Sequence, residues 1–170
     1  MRKTLWESLT HGPLTEPPPA PDDAVVADLA AAVARAARRK LGRSLSIREV
    51  DAGSCNACEL EINALNNAFY DLERFGLHFV ASPRHADVLL VTGPVTKNMQ
   101  EALLRTYNAT PAPKWVIAVG DCAVDGGLFA DSYACVGAVE NVVPVDLRIR
   151  GCPPTPVQLL QGLLALLDRQ

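Results

Sequence analysis

Val88, Leu89, Leu90 and Val91 form an unbroken apolar run inside Ala86 to Thr92, and this run constrains the fold more than any other. A strand with no polar face must be covered on both sides, as in a sheet sandwiched between helices. Trp115 to Val119 repeats the pattern. Around these runs the apolar period becomes helical. Leu60, Ala64, Leu65, Ala68, Phe69 and Leu72 mark one amphipathic helix, closed by Gly76; Met99, Ala102, Leu103, Thr106 and Tyr107 mark another. Ser46 to Gly53 reads as a further strand. Val142 to Ile149 is a weaker one, since Pro144 lacks a ladder donor and suits an edge or bulge. Thr155 is placed to cap a final Leu-rich helix, Val157 to Leu167, with Pro156 in its first turn. Alternating strands and helices predict an α/β open parallel sheet of about four strands with helices on both faces. Ligands of such sheets sit beyond the carboxyl ends of the strands.

The chain divides in two. Residues 1–43 are expected to form an N-terminal arm and helix, a candidate inter-subunit contact, ahead of the α/β domain at 44–170. The arm holds Leu5, Trp6 and Leu9, then Pro13, Pro17, Pro18, Pro19 and Pro21, a density that favours extended backbone. Asp22 and Asp23 open a helix reaching about Lys40. Its acidic start and its Arg38-Arg39-Lys40 end suit the helix dipole, and Gly42 stops it. The formal charge of −3 is uneven: residues 1–48 carry eight basic and five acidic side chains, residues 49–170 eight and fourteen. The acidic balance of the larger region argues against nucleic acid as a partner. No apolar stretch is long enough to cross a membrane. The first residues show neither a signal-peptide core nor a twin-arginine pair, so a cytoplasmic location is expected.

Four of the five cysteines fall where predicted strands end. Cys55 and Cys58 form a CxxC after the first, Cys122 follows Trp115 to Val119, and Cys152 with Pro153-Pro154 follows the last. Metal or redox chemistry accounts for such residues better than disulfides do. A CxxC at a strand-to-helix turn fits a ligand pair and a redox dithiol alike, because the helix start lowers thiol pKa. A dithiol, however, has no use for Cys122 and Cys152. Structural zinc usually takes two close pairs, and this chain supplies one pair and two singles. The donor set therefore favours an iron–sulfur cluster over zinc or a dithiol. Cys135 has no Pro or Gly flank and reads as a small core residue.

Charged neighbours divide by position. Glu59 reads as a partner of the helix dipole. Glu61, three residues past Cys58, is a candidate proton-coupled carboxylate, since added negative charge nearby makes it bind a proton more readily. Asp121 reads as a hydrogen-bonding neighbour of Cys122 or a turn residue, and Gly126-Gly127 as a turn beside the site. Arg84 and His85 belong at the far, amino end of a strand, in a solvated or inter-subunit role.

Five ordered motifs carry a family resemblance: Gly53-Ser54-Cys55-Asn56-Ala57-Cys58-Glu59-Leu60-Glu61, Ser82-Pro83-Arg84-His85-Ala86-Asp87, Thr92-Gly93-Pro94-Val95-Thr96, Gly120-Asp121-Cys122 and Gly151-Cys152-Pro153-Pro154. Together they resemble the small iron–sulfur subunit shared by respiratory complex I, where it is the 20 kDa subunit, and the [NiFe] hydrogenases. The likeness spans about residues 44–168. It implies a flavodoxin-like domain with one [4Fe-4S] cluster on Cys55, Cys58, Cys122 and Cys152, facing a larger catalytic subunit. Complex I members usually carry adjacent cysteines at the first position, and the CxxC here is similar to the hydrogenase arrangement. Uptake-hydrogenase small subunits add an export signal and a C-terminal region for further clusters, and this sequence shows neither. The arm from Leu5 to Pro19 also resembles the membrane-bound, energy-converting branch that includes formate hydrogenlyase. The resemblance thus implies an electron-transfer subunit between a ferredoxin-like subunit and a catalytic large subunit. It would sit at the inner face of the membrane through membrane-arm subunits and be active only within that oxidoreductase complex. A complex I-type subunit reducing quinone, and a scaffold whose cluster serves only assembly, are the alternatives.

Overall fold

The computed structural model describes residues 23–168, so the arm with Leu5, Trp6 and Leu9 lies outside the described residues. Helix α1 (Asp23–Leu41) stops at Gly42, which takes φ +69° and returns its N–H to the Arg38 carbonyl at 2.9 Å. Only glycine enters that left-handed turn without penalty. There follow β1 (Leu45–Asp51), α2 (Ala57–Ala64), β2 (Leu77–Phe79), β3 (Val88–Thr92), β4 (Val95–Thr96) and α3 (Lys97–Ala109). The chain then makes β5 (Trp115–Val119), α4 (Asp121–Asp125), β6 (Cys135–Gly137), β7 (Leu147–Ile149) and α5 (Pro156–Asp168).

Five strands form one parallel sheet in the order β2-β1-β3-β5-β7, and β4 and β6 pair as a separate antiparallel ribbon. Counted along the sheet strands alone this is the flavodoxin-like order, with its winding reversed between β1 and β3. Strand β3 is buried at every position, as its apolar run requires. Val88 and Leu90 face Ala30 and Val33 of α1 and Leu159 and Leu163 of α5; Leu89 and Val91 face Leu103 of α3 and Val124 of α4.

The structure departs from expectation in three places. The sheet has a fifth strand, β2, only three residues long, paired to β1 with Leu45 opposite Leu77. The helix after the CxxC ends at Ala64 and does not reach Leu72. Asn67 takes over there: its side-chain oxygen accepts the N–H groups of Phe69 and Tyr70 at 2.9 and 3.0 Å, a local bond that competes with the helical ladder. Leu60 and Phe69, expected on the buried face, are 62% and 43% exposed. The strand expected over Val142 to Ile149 shrinks to β7, which pairs on one side only, with β5, so the edge position holds.

Two helix ends are secured by side chains. Thr155 and Gln158 form a capping box at the start of α5, Gln158 Oε1 accepting the Thr155 N–H at 2.8 Å and Thr155 Oγ1 the Gln158 N–H at 3.4 Å. The basic end of α1 serves α5 as well. Arg39 pairs with Asp168 at 2.8 Å, and Lys40 Nζ donates to the Leu166 and Leu167 carbonyls at 3.4 and 3.3 Å.

Candidate metal centre

Strands β1, β5 and β7 each deliver cysteines just past their carboxyl ends, and short polar bonds fold those ends inward. After β1, Asp51 Oδ1 accepts the N–H groups of Gly53 and Ser54, both at 2.7 Å. Ser54 Oγ accepts the Asn56 N–H at 2.9 Å and donates its proton to Glu59 Oε2 at 2.5 Å. This brings the CxxC back onto the first turn of α2. After β5, Gly120 takes φ +87°, and a Cβ there would lie 2.6 Å from Cys58 Sγ. Only a glycine lets the β5 turn approach that sulfur. After β7, Gly151 is locked to Asp121: its carbonyl accepts the Asp121 N–H at 2.9 Å, and its N–H reaches Asp121 Oδ1 at 3.2 Å.

One pocket gathers Cys55, Cys58, Cys122 and Cys152, with Ser54, Gly93, Asp121 and Gly151 among its other walls. All four thiols are free; Cys55 and Cys152 are exposed, Cys58 and Cys122 half-buried. Burial pushes the Cys58 thiol from an ordinary 9.0 up to about 12, helped by the charges of Glu59, Cys55, Cys122 and Cys152. Cys122 is raised by burial and then by Cys152 and Cys55, while the Leu128 N–H pulls it back. Cys58 and Cys122 thus resist ionisation because they are buried and because the other sulfurs lie near. Four thiolates can coexist here only with compensating positive charge, which an iron core provides.

The donor set fits a four-thiolate cluster, and the close approaches at Gly120 and Gly127, where a Cβ would lie 2.9 Å from Cys122 Sγ, leave the sulfurs unobstructed. Among the described residues no group of three His, Cys, Asp or Glu side chains is placed to hold a single ion. A four-iron cluster on four cysteines takes one thiolate per iron and does not call for such a group.

The remaining predicted residues fall as follows. Glu61 is half-buried on α2 and outside the pocket lining. Glu59 is more than a dipole partner: it is 7% exposed, bonded to Ser54, with Oε1 unpartnered. Asp121 opens α4 and is no turn residue; it bonds to Gly151 and acts on Cys122 through its charge. Gly126 and Gly127 take φ +91° and +50° against Cys122. Arg84 and His85 are exposed on a short turn (Pro83–His85) at the amino end of β3. Cys135 is not a core residue. It is half-buried in β6, opposite Thr96. Two residues escaped the sequence reading. Glu49 is pushed from 4.5 to about 7 by burial, then by the charges of Glu59 and Asp51. Its alternation with Leu45 and Ile47 along β1 was the available signal. Arg150 pairs with Asp125 at 2.9 Å and reaches Asp121 at 3.6 Å, and no sequence pattern announces it. No helix among the described residues is long and apolar enough to cross a membrane.

Comparison with known proteins bears on this arrangement. Residues 55–166 match the family described as NADH ubiquinone oxidoreductase, 20 kDa subunit. Formate hydrogenlyase subunit 7 of Escherichia coli is 46% identical over 78% of this chain and 53% of its own length, so the match spans about half of that relative. A probable membrane-bound hydrogenase subunit of Pyrococcus furiosus is 45% identical over 76% of this chain and 77% of its own. Among solved structures, a chain of the membrane-bound sulfane sulfur reductase, an archaeal respiratory membrane complex, is similar with a TM-score of 0.66. Its identity is 38%, over 78% of this chain and 71% of that one.

Proposed function

This chain belongs to the family of the 20 kDa subunit of NADH ubiquinone oxidoreductase, and on that premise we propose that it is the electron-transfer subunit of a membrane-associated, hydrogenase-type oxidoreductase complex. Cys55, Cys58, Cys122 and Cys152 hold one [4Fe-4S] cluster, which when bound supplies a one-electron carrier. The observation that carries the reading is the meeting of four thiols from three strand ends in one pocket. Electrons pass between a ferredoxin-like subunit and a catalytic large subunit of the formate hydrogenlyase type, and membrane-arm subunits keep the assembly at the cytoplasmic face of the membrane.

The chain's own residues position and shield. The Asp51, Ser54 and Glu59 bonds orient the CxxC, and the Leu128 N–H offers a donor to the Cys122 sulfur. Leu60, 62% exposed on the helix that carries Cys58, and Leu128, 93% exposed with its N–H on Cys122, form apolar surface beside the sulfurs. A large subunit seated there keeps water from the sulfurs. Glu61 is the proton-coupled carboxylate in this reading: Glu61→Gln should flatten the pH dependence of the midpoint potential, and an unchanged slope removes the role.

The deciding experiment is anaerobic purification of the complex with iron and sulfide counting and low-temperature EPR. About four iron and four sulfide beyond those of the partner subunits are expected, read as the difference between the wild-type and Cys152→Ala complexes. Cys152→Ala should lose the signal and the electron flow; a Cys152→Ala complex turning over at the normal rate would leave only a scaffold. The family's own description favours a second reading, in which the partner passes electrons to quinone. Nickel in the large subunit, measured on the same preparation, separates the two.

A further inference from the structure

We propose that Arg150 is a positioning residue for the cysteine site: its guanidinium joins the Cys122 and Cys152 loops and raises the midpoint potential of the cluster they hold. The inference rests on the reading above. Arg150 Nη1 lies 2.9 Å from Asp125 Oδ2 and 3.6 Å from Asp121 Oδ1. Those carboxylates stand at the two ends of α4, four residues apart on one face, with Cys122 between them in sequence.

Each carboxylate continues the connection toward a sulfur. Asp125 Oδ1 accepts the Gly127 N–H at 3.0 Å, and Gly127 packs so closely on Cys122 that a Cβ would lie 2.9 Å from its Sγ. Asp121 Oδ1 accepts the N–H of Gly151, the residue between Arg150 and Cys152, at 3.2 Å. One cation therefore fixes two loops that are 30 residues apart in the chain. Gly126 and Gly127, at φ +91° and +50°, let the first of these paths close.

The charge matters as well as the tether. The pocket wall contributes Asp121 and four thiols, with Glu59 beside Cys58, all negative or becoming so on ionisation. A neighbouring cation favours the more negative, reduced form of a cluster, so Arg150 raises its potential. The side chain is 64% exposed, and screening keeps the effect modest and dependent on salt.

In the purified complex, Arg150→Gln should retain iron and sulfide while the EPR midpoint potential falls. Arg150→Lys, which keeps the charge, should return the potential to near wild type. Asp125→Asn should shift it the opposite way, because the cation is left less neutralised while the amide oxygen still accepts from Gly127. A full-iron Arg150→Gln complex at wild-type potential overturns the proposal, as does an equal fall in the Gln and Lys variants. If Arg150→Gln does not hold iron, Asp125→Asn decides, and a potential unmoved or lowered overturns it. A wild-type complex without iron would instead sink the proposed function, and this inference with it.

Discussion

At the amino end of the sheet, Asp87 is 3% exposed, yet both its oxygens are occupied: Arg43 donates to them at 2.5 and 3.0 Å, and the Ser46 N–H adds a bond of 2.9 Å. Its backbone is used too, the N–H going to Ser46 and the carbonyl receiving Trp115 at 2.8 and 3.0 Å. At the carboxyl end, Glu59 is buried almost as deeply but keeps one oxygen unpartnered, as does Glu49. The turn there requires a positive φ at Gly120, and burial, with the nearby thiols adding to it, opposes ionisation of Cys58. One sheet thus has an end where the most buried carboxylate is fully bonded and an end where buried carboxylates keep an unpartnered oxygen, with Arg48 Nε unpartnered between them on β1. The first holds β1 and β3 in register. The second is left incomplete in the way a ligand site is, since a buried group without a partner costs stability until something binds.

Substitutions at the two ends should therefore fail differently. The largest effect is expected at Gly120. Alanine there combines positive-φ strain with a Cβ only 2.6 Å from Cys58 Sγ, together worth about 3 kcal/mol. The EPR signal of this chain's cluster should fall below half of its wild-type intensity, and a Gly120→Ala complex with the full signal would break the contrast between the two ends. Asp87→Ala comes next. It leaves the Ser46 N–H without its acceptor and removes the Arg43 pair, and should lower unfolding free energy by about 2 kcal/mol in a denaturant titration while leaving iron content alone. Lost iron in that variant would mean that the amino end also shapes the site.

The smallest effect is a gain. Glu49 has its folded pKa raised from 4.5 to about 7, so its contribution is fully present below pH 4.5 and is lost as pH rises through about 7. Glu49→Gln should accordingly leave stability unchanged at pH 4. At pH 8 it should add about 1 kcal/mol, a figure discounted for the half-exposed position. Equal stability at both pH values would show that the site end carries no such penalty.

Much of this was legible in the chain itself, and the reasons can be given residue by residue. Val88 to Val91 could only be a strand covered twice, because a run without a polar face has nowhere to meet water. Gly42 stopped α1, and Thr155 opened α5, through backbone chemistry confined to a few neighbours. Cys55, Cys58, Cys122 and Cys152 were placed at strand ends by counting alone, since their distances from β1, β5 and β7 lie within single loops. Where local signals competed, the reading failed: Asn67 diverted the helix that Ala68, Phe69 and Leu72 appeared to continue.

The amino-acid order by itself determined the longer strands β1, β3 and β5 and the helices α1, α3 and α5, because periodicity and capping act over a turn or a pleat; the short strands β2, β4 and β6 carry no such signal. Strand order, the burial of Glu59 and Glu49, and the reach of Arg150 to Asp121 and Asp125 were decided only by the tertiary structure. These depend on residues far apart in the chain meeting across a packed layer. No local pattern encodes which distant group will occupy the other side of a contact.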